Sequence, residues 1–316
     1  MNYGFILGSF APFHQGHKFL IQQAQERCNG LTVLVTSRPE DGIPGWQRYH
    51  WVKSAFPELD VRHLIGTHDP AEDRILSNLP SGTKLLFESG EKLANLAQRL
   101  GFQHVSIDPE RRNFPIPTFE IRKNPHANWI LLPAQARPYY IRRVALVGPE
   151  SCGKSYLAEK LAMHFQTSFV AEYGRTYCEK FGMDSTELDF AHVAGGQLYR
   201  EDEMALEANR VLFCDTDLIV TQIWSEVYFK GKCQPWIYWA NHLRQYDLFL
   251  LCAPDIPWEN DGLREFEGQR TWMFERLRQE LESRGLNYVV IEGGFEARTD
   301  KAIQEVVQLL NQKTDL

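Results

Sequence analysis

The chain has 316 residues, of which 43% are hydrophobic, 24% charged and 12% aromatic. These proportions exclude a disordered, collagen-like or low-complexity chain, and at roughly 100–200 residues per domain the length predicts two domains. A net charge of −7 argues against a nucleic-acid partner, because neutralising phosphates along a duplex needs a basic face, yet it leaves room for local positive pockets that bind small anions.

The first eight residues, Met1-Asn2-Tyr3-Gly4-Phe5-Ile6-Leu7-Gly8, carry no basic segment and meet Pro12 early. They predict a strand and a turn, not a signal peptide. No apolar run reaches about 18 residues, so no membrane span is expected. Six cysteines (Cys28, Cys152, Cys178, Cys214, Cys233, Cys252) are scattered without a C-x-x-C pair. That spacing argues against zinc and dithiol motifs, and free thiols fit a reducing, cytoplasmic setting.

The strand over residues 2–7 runs into Gly8-Ser9-Phe10-Ala11-Pro12-Phe13-His14-Gln15-Gly16-His17, which fits G-x-F-x-P-x-H-x-G-H. His14 and His17 flank a helix start, so both imidazoles can serve one anion site and donate hydrogen bonds to the phosphates of a nucleoside triphosphate. Gly8 and Phe10 belong to the same frame. The chemistry it suggests is direct nucleotidyl transfer: a phosphate nucleophile attacks the α-phosphorus and pyrophosphate leaves, helped by positioning and charge stabilisation. Zinc fits poorly, since a helical zinc pair prefers H-E-x-x-H and no third ligand is near.

Further strands are expected over 31–36, 61–65, 84–87 and 103–107, with helices over 16–27, 47–55 and 91–100. Strands alternating with helices predict crossover units and a parallel sheet. Pro133-Ala134-Gln135-Ala136-Arg137-Pro138 predicts a short semi-rigid connection, which places a boundary at 138–141 and two domains at 1–138 and 139–316. The alternation then restarts, with strands over 144–147, 168–171, 211–214, 248–252 and 288–291 and helices over 154–165, 196–209, 270–284 and 297–312. Each half is expected to be a doubly wound parallel-sheet α/β domain, with ligands at the carboxyl ends of its strands.

Gly148-Pro149-Glu150-Ser151-Cys152-Gly153-Lys154-Ser155 fits G-x-x-x-x-G-K-[ST] between a strand and a helix. Backbone N–H groups of such a loop wrap the phosphates of ATP. Lys154 reaches the β- and γ-phosphate oxygens, and the Ser155 hydroxyl holds Mg²⁺. The strand over 211–214 ends in Asp215-Thr216-Asp217, where a second Mg²⁺-associated carboxylate belongs; either aspartate fits, and Asp217 also serves as a substrate ligand. Glu172-Tyr173-Gly174-Arg175 ends the preceding strand. There Glu172 is the candidate base or ribose-hydroxyl acceptor, Arg175 a holder of substrate or phosphate charge, and Tyr173 a further substrate contact. Residues 255–270 are polar and carry Arg264 and Arg270, as in a lid that delivers arginine to a transferring phosphoryl group; a solvated loop explains them as well.

In this order, the two motifs resemble the bifunctional NMN adenylyltransferase/ribosylnicotinamide kinase family over nearly the whole chain. The resemblance implies that His14 and His17 bind ATP phosphates. It matches Asp108-Pro109-Glu110-Arg111 to the acidic stretch before the family's second motif, and Arg122 to the arginine that contacts the triphosphate at a helix start. It also implies the ligands: ATP with Mg²⁺, nicotinamide riboside, NMN and NAD. Whether copies of the chain form a homo-oligomer is left open.

Two departures stand out. Pro117 and Phe119 replace hydroxyl residues of the second motif, leaving Thr118, and no Trp occurs between Trp51 and Trp129, where the family stacks the nicotinamide ring. The kinase motifs show no comparable erosion. A rival reading is therefore an active kinase whose first domain is degenerate and only binds nucleotide.

Overall fold

The computed structural model describes residues 2–38, 41–65, 72–182, 185–259 and 267–312. The chain forms two compact units that divide between Tyr139 and Tyr140.

The first unit holds strands β1 (Tyr3–Gly8), β2 (Gly30–Thr36), β3 (Asp60–Leu64), β4 (Thr83–Glu88) and β5 (Gln103–Ser106), interleaved with helices α1 (Gln15–Gln25), α2 (Gly45–Ala55), α3 (Glu72–Ser77), α4 (Ala94–Leu100) and α5 (Thr118–Lys123). The strands form one parallel sheet in the order β3-β2-β1-β4-β5. Phe5, Leu34 and Leu86 from adjacent strands are fully buried and pack with Leu64, Ile75 and Ala97. β1 is central, and its neighbours are reached in opposite directions, so a crevice opens at its carboxyl end, beyond Gly8.

The second unit also has a five-stranded parallel sheet with its first strand central, but its second strand lies at the edge and its third beside the first. Its strands are β6 (Arg142–Val147), β7 (Phe169–Val170), β8 (Val211–Asp215), β9 (Leu248–Cys252) and β10 (Tyr288–Ile291). Its helices are α6 (Lys154–Phe165), α7 (Tyr173–Phe181), α8 (Glu187–Glu207), α9 (Leu218–Tyr228), α10 (Pro235–Leu243), α11 (Arg270–Ser283) and α12 (Phe295–Asn311). The parallel sheet runs β10-β9-β6-β8-β7. One face packs under α6 and α12 through Leu157, Leu161, Val306 and Leu309; the other packs against α9 and α11 through Ile219, Ile223, Met273 and Leu277. Burial on both faces explains why these strands read as continuous apolar runs. Among the described residues no helix is long and apolar enough to cross a membrane.

The structure departs from the sequence expectation at helices whose apolar pattern is atypical. α9 buries Leu218, Ile219, Val220, Thr221, Gln222 and Ile223 in succession, so it shows no 3.6-residue period. α8 begins at Glu187, nine residues before the expected start; its true signal is a capping box in which Thr186 and Asp189 exchange hydrogen bonds. Gly195 and Gly196 obscured it by looking like a boundary. The stretch 133–138 is a packed element, not a spacer. It lies between single 3₁₀ turns at Trp129–Leu131 and Arg137–Tyr140, with Leu132 and Ala136 fully buried.

Gly196 sits mid-helix because the Tyr173 ring lies against it: a β-carbon there would be 2.1 Å from that ring. Gly→Ala in an exposed helix interior gains up to about 1 kcal/mol, whereas overpacking costs about 1–3 kcal/mol. Gly196→Ala is therefore expected to destabilise the second unit, which urea unfolding would register as a lower midpoint.

Candidate functional site

In the second unit β6 ends at Val147 and the chain turns through the phosphate loop into α6. The turn requires glycine at 148, where φ is +152° and a β-carbon would lie 2.7 Å from the Cys252 carbonyl oxygen and 2.8 Å from Cys152 Sγ. Sequence reading missed what holds this loop. Arg298, on α12 and 2% exposed, donates to the Cys152 carbonyl at 3.1 Å, to Ala253 O at 2.9 Å and to Gly293 O at 2.7 Å, and pairs with Asp255. Arg270 adds hydrogen bonds to Ser151 O and Ile256 O, both 3.0 Å, and the Ser151 hydroxyl accepts from the Glu259 N–H at 2.8 Å.

Lys154 lies along the loop, donating to Gly148 O at 3.1 Å and Pro149 O at 2.8 Å. Burial by itself would lower the Lys154 ammonium, but Cys152, Glu172 and Asp215 beside it raise it to about 12. It is a fixed cation. The Ser155 hydroxyl donates to Asp215 Oδ2 at 2.5 Å. The other Asp215 oxygen is buried with no partner among the described residues. Burial, with Glu172 adding to it, pushes this carboxyl up against the pull of Lys154 and Ser155. A hydroxyl and a buried, underused carboxylate side by side suit a hard divalent cation such as Mg²⁺.

The two aspartates left open by the sequence differ in their hydrogen bonds. Asp217 is the N-cap of α9 and accepts from the Val220 N–H at 3.0 Å. Its other oxygen, like that of Asp215, is buried with no partner among the described residues, and neither aspartate lines the cavity. The Tyr173 ring packs on Gly196 and under Arg200, whose guanidinium carbon is 4.7 Å from the ring centroid. Arg264 lies outside the described residues. Arg270, expected in a lid, is the first residue of α11 and braces the loop.

The loop opens into a cavity of about 510 Å³. Gly148, Glu150, Ser151, Cys152, Gly153 and Lys154 form one end with Ser155. Glu172 and Arg175 line it, and so do Phe190, Trp224 and Tyr228, an aromatic group that sequence reading did not find. Two further lining residues were also missed. Gln197 is 1% exposed; its Oε1 accepts from the Tyr173 N–H at 3.0 Å, and its buried Nε2 has no partner among the described residues. Thr216 has φ +74°, a strained backbone for a β-branched residue and one that clusters at functional sites.

In the first unit the loop after β1 brings His14 and His17 together, ring centroids 3.8 Å apart. The Gly16 N–H donates to His14 Nδ1 at 3.1 Å, and His14 Nε2 lies 2.9 Å from the Thr118 hydroxyl. Nδ1 is thus an acceptor, the proton sits on Nε2, and Thr118 keeps its own hydrogen to donate. Burial and then the Arg111 charge push His14 down to about 4, and burial, His14 and Arg111 push His17 well below its ordinary value. Both rings are neutral donors at pH 7.

Phe10 is 1% exposed and stands edge-on to His17 at 4.9 Å, beside Gly8, so it buttresses the histidine. The cleft here, about 60 Å³, is lined by His14, His17, Ser89, Asp108, Arg111 and Thr118 among others. Arg122 does not line it. It lies one turn into the six-residue α5, and its guanidinium reaches Asp41 O at 3.4 Å; Arg111 lines the cleft with the histidines. The loop is anchored by Arg48, fully buried, which donates to Ser9 O, to Thr36 O at 2.8 Å and to Ile43 O at 2.9 Å, and pairs with Asp41 at 2.8 Å. Part of the segment after β3, where the family's stacking Trp would fall, lies outside the described residues.

Residues 143–298 match a family model described as an AAA domain. The chain is 28% identical to the trifunctional NAD biosynthesis/regulator protein NadR of Escherichia coli K12, over 98% of this chain and 84% of that protein. Against NadR of Salmonella typhimurium the figures are 28%, 99% and 84%. A crystal structure of NadR in complex with NR superposes with a TM-score of 0.83 at 24% identity, covering 100% of this chain and 98% of the other. One in complex with NAD and AMP-PNP gives 0.81 at 23%, with the same coverage. Similarity through both units, in the same order, marks common descent.

The His14 environment fixes a pH dependence. In the unfolded chain His14 titrates near 6.5, in the folded unit near 4. Between these values the unfolded state binds a proton that the folded state excludes, so stability is full above pH 6.5 and is lost as pH falls toward 4, by about 3 kcal/mol from this group. The urea midpoint of the first unit is expected to drop between pH 7 and 5, and His14→Gln to flatten that slope.

Proposed function

We propose that this homologue of the NadR proteins carries out two consecutive reactions of NAD biosynthesis. The unit at 139–316 phosphorylates the 5′-hydroxyl of nicotinamide riboside with ATP. The unit at 1–138 transfers the adenylyl group of ATP to the resulting NMN, giving NAD and pyrophosphate. The observation that carries this reading is that, beyond the central strand of each sheet, side chains suited to phosphate are gathered: His14 and His17 in one unit, residues 148–155 with Lys154 and Asp215 in the other. The NAD-biosynthesis name of the relatives, and the NR, NAD and AMP-PNP of the NadR complexes, support the same ligands.

In the kinase reaction the loop N–H groups and Lys154 hold the ATP phosphates at one end of the cavity. The riboside occupies the other, its aromatic base against Phe190, Trp224 and Tyr228. Gln197 Nε2 supplies a donor on that wall. Glu172 takes the proton of the 5′-hydroxyl as its oxygen bonds to the γ-phosphorus and the bond to the bridging oxygen of ADP breaks. Arg175 balances phosphate charge. Mg²⁺, held by Ser155 and Asp215, would neutralise charge on the β- and γ-phosphate oxygens.

In the transfer reaction the neutral imidazoles of His14 and His17, the Thr118 hydroxyl and Arg111 hold the triphosphate. An oxygen of the NMN phosphate attacks the α-phosphorus and pyrophosphate departs, with no covalent enzyme intermediate. Donors to developing charge are worth on the order of 10²–10³ in rate each, so the loss of hydroxyls at Pro117 and Phe119 lowers the rate without removing the frame.

Riboside-dependent ADP release is the test of the first reaction. It is expected from the native chain and to fall by about 10²–10³ in Lys154→Ala; turnover that survives the substitution contradicts the assignment of the loop. NAD formed from NMN and ATP, absent in His17→Ala, is expected for the second. A native chain that makes no NAD above that control favours the kinase with a degenerate first unit.

A further inference from the structure

Two buried thiols, Cys152 and Cys252, have no part in either reaction's chemistry. Cys152 lies in the phosphate loop just before Gly153, and Cys252 ends β9, the strand paired with β6. Only Gly148 stands between them. A β-carbon at Gly148 would be 2.8 Å from Cys152 Sγ and 3.2 Å from Cys252 Cβ, so the two side chains face one another across a residue with no side chain of its own. They are close enough for the Cys252 thiol to hydrogen-bond the Cys152 sulfur.

Cations crowd the same sulfur. Lys154 Nζ is 3.9 Å from Cys152 Sγ, Arg298 donates to the Cys152 carbonyl at 3.1 Å, and Arg270 to the Ser151 carbonyl at 3.0 Å. Burial would raise the Cys152 thiol, but Cys252 and these three cations bring it below its ordinary value, which favours the reactive thiolate. Cys214, by contrast, is fully buried and pushed well up by that burial. Cys152 also lines the cavity, so a small solute can reach it. At 1% and 0% exposure, the pair is closed to a bulky thiol or disulfide. That selects the oxidant by size.

We infer that Cys152 and Cys252 form an oxidation site under the phosphate loop, where a hydroperoxide converts the two thiols to a disulfide. The Cys152 thiolate attacks a peroxide oxygen. The O–O bond breaks, an S–O bond forms, the leaving oxygen takes up a proton as water, and Cys152 becomes a sulfenic acid. The Cys252 sulfur, giving up its proton, then attacks the Cys152 sulfur. The S–S bond forms, the S–O bond breaks and a second water leaves. Two thiols are oxidised by two electrons and one hydrogen peroxide is reduced to two waters. The new bond draws Cys152 Sγ from the Pro149 carbonyl, to which it donates at 2.9 Å, toward β9. Gly148 and the loop N–H groups are then locked in a shape that no longer closes on phosphate. This consequence rests on the reading that the loop binds ATP; the disulfide itself does not.

The full chain is to be treated with hydrogen peroxide, its remaining thiols alkylated, and the protein digested without reductant. The expected result is a peptide linking Cys152 to Cys252, an intact mass lower by two hydrogens, and loss of binding of a fluorescent ATP analogue, all reversed by dithiothreitol. Cys252→Ala is expected to bind the analogue before treatment and to form no internal cross-link after it. Both thiols alkylated after peroxide, or Cys152 joined to Cys178 instead, overturns the inference. A native chain that fails to bind the analogue before any peroxide contradicts the nucleotide reading and leaves the disulfide to be judged by its peptide.

Discussion

In each unit a buried guanidinium ties the loop after the central strand to the end of the strand beside it. Arg48 joins Ser9, beyond β1, to Thr36 at the end of β2. Arg298 joins Cys152, beyond β6, to Ala253 just after β9. A loop at such a switch point carries carbonyls that no sheet or helix satisfies, and a buried carbonyl left without a donor costs about 1–3 kcal/mol. One rigid fork with five donors meets several of them at once. Each guanidinium is in turn balanced by one carboxylate, Asp41 or Asp255.

The two candidate sites offer an anion different physics. In the second unit the cation is permanent: Lys154 is kept charged by the acids around it. In the first unit burial keeps His14 and His17 neutral, so they act as oriented dipoles and donors, with Arg111 supplying the charge. Neutral donors cost less to hold in a dry pocket between ligands than a pair of buried cations would. A net charge of −7 is thus compatible with two local candidate anion sites.

Much of this was legible in the sequence because the motifs are local. G-x-F-x-P-x-H-x-G-H and G-x-x-x-x-G-K-[ST] are spaced by the turn each must make, and the apolar strands of both sheets read directly. Asp215 and Asp217 could not be separated, since both end the same strand; only the start of α9 shows that Asp217 is its cap. Arg48 and Arg298 were illegible because their partners are backbone carbonyls, which leave no sequence signal. Phe190, Trp224, Tyr228 and Gln197 escaped for a related reason. They reach the cavity from α8 and α9, and only the packing of these helices on α7 and on one another brings them there.

The central claim is that one chain carries two separable phosphate-transfer sites acting in sequence. It is tested most directly by mixing two inactive variants. Lys154→Ala and His17→Ala are each given nicotinamide riboside, ATP and Mg²⁺, alone and together, and NAD is measured. Neither alone is expected to form NAD, while the mixture does, because NMN made by one chain is used by the other. A mixture that yields no NAD, while the native chain does, would contradict two independent sites.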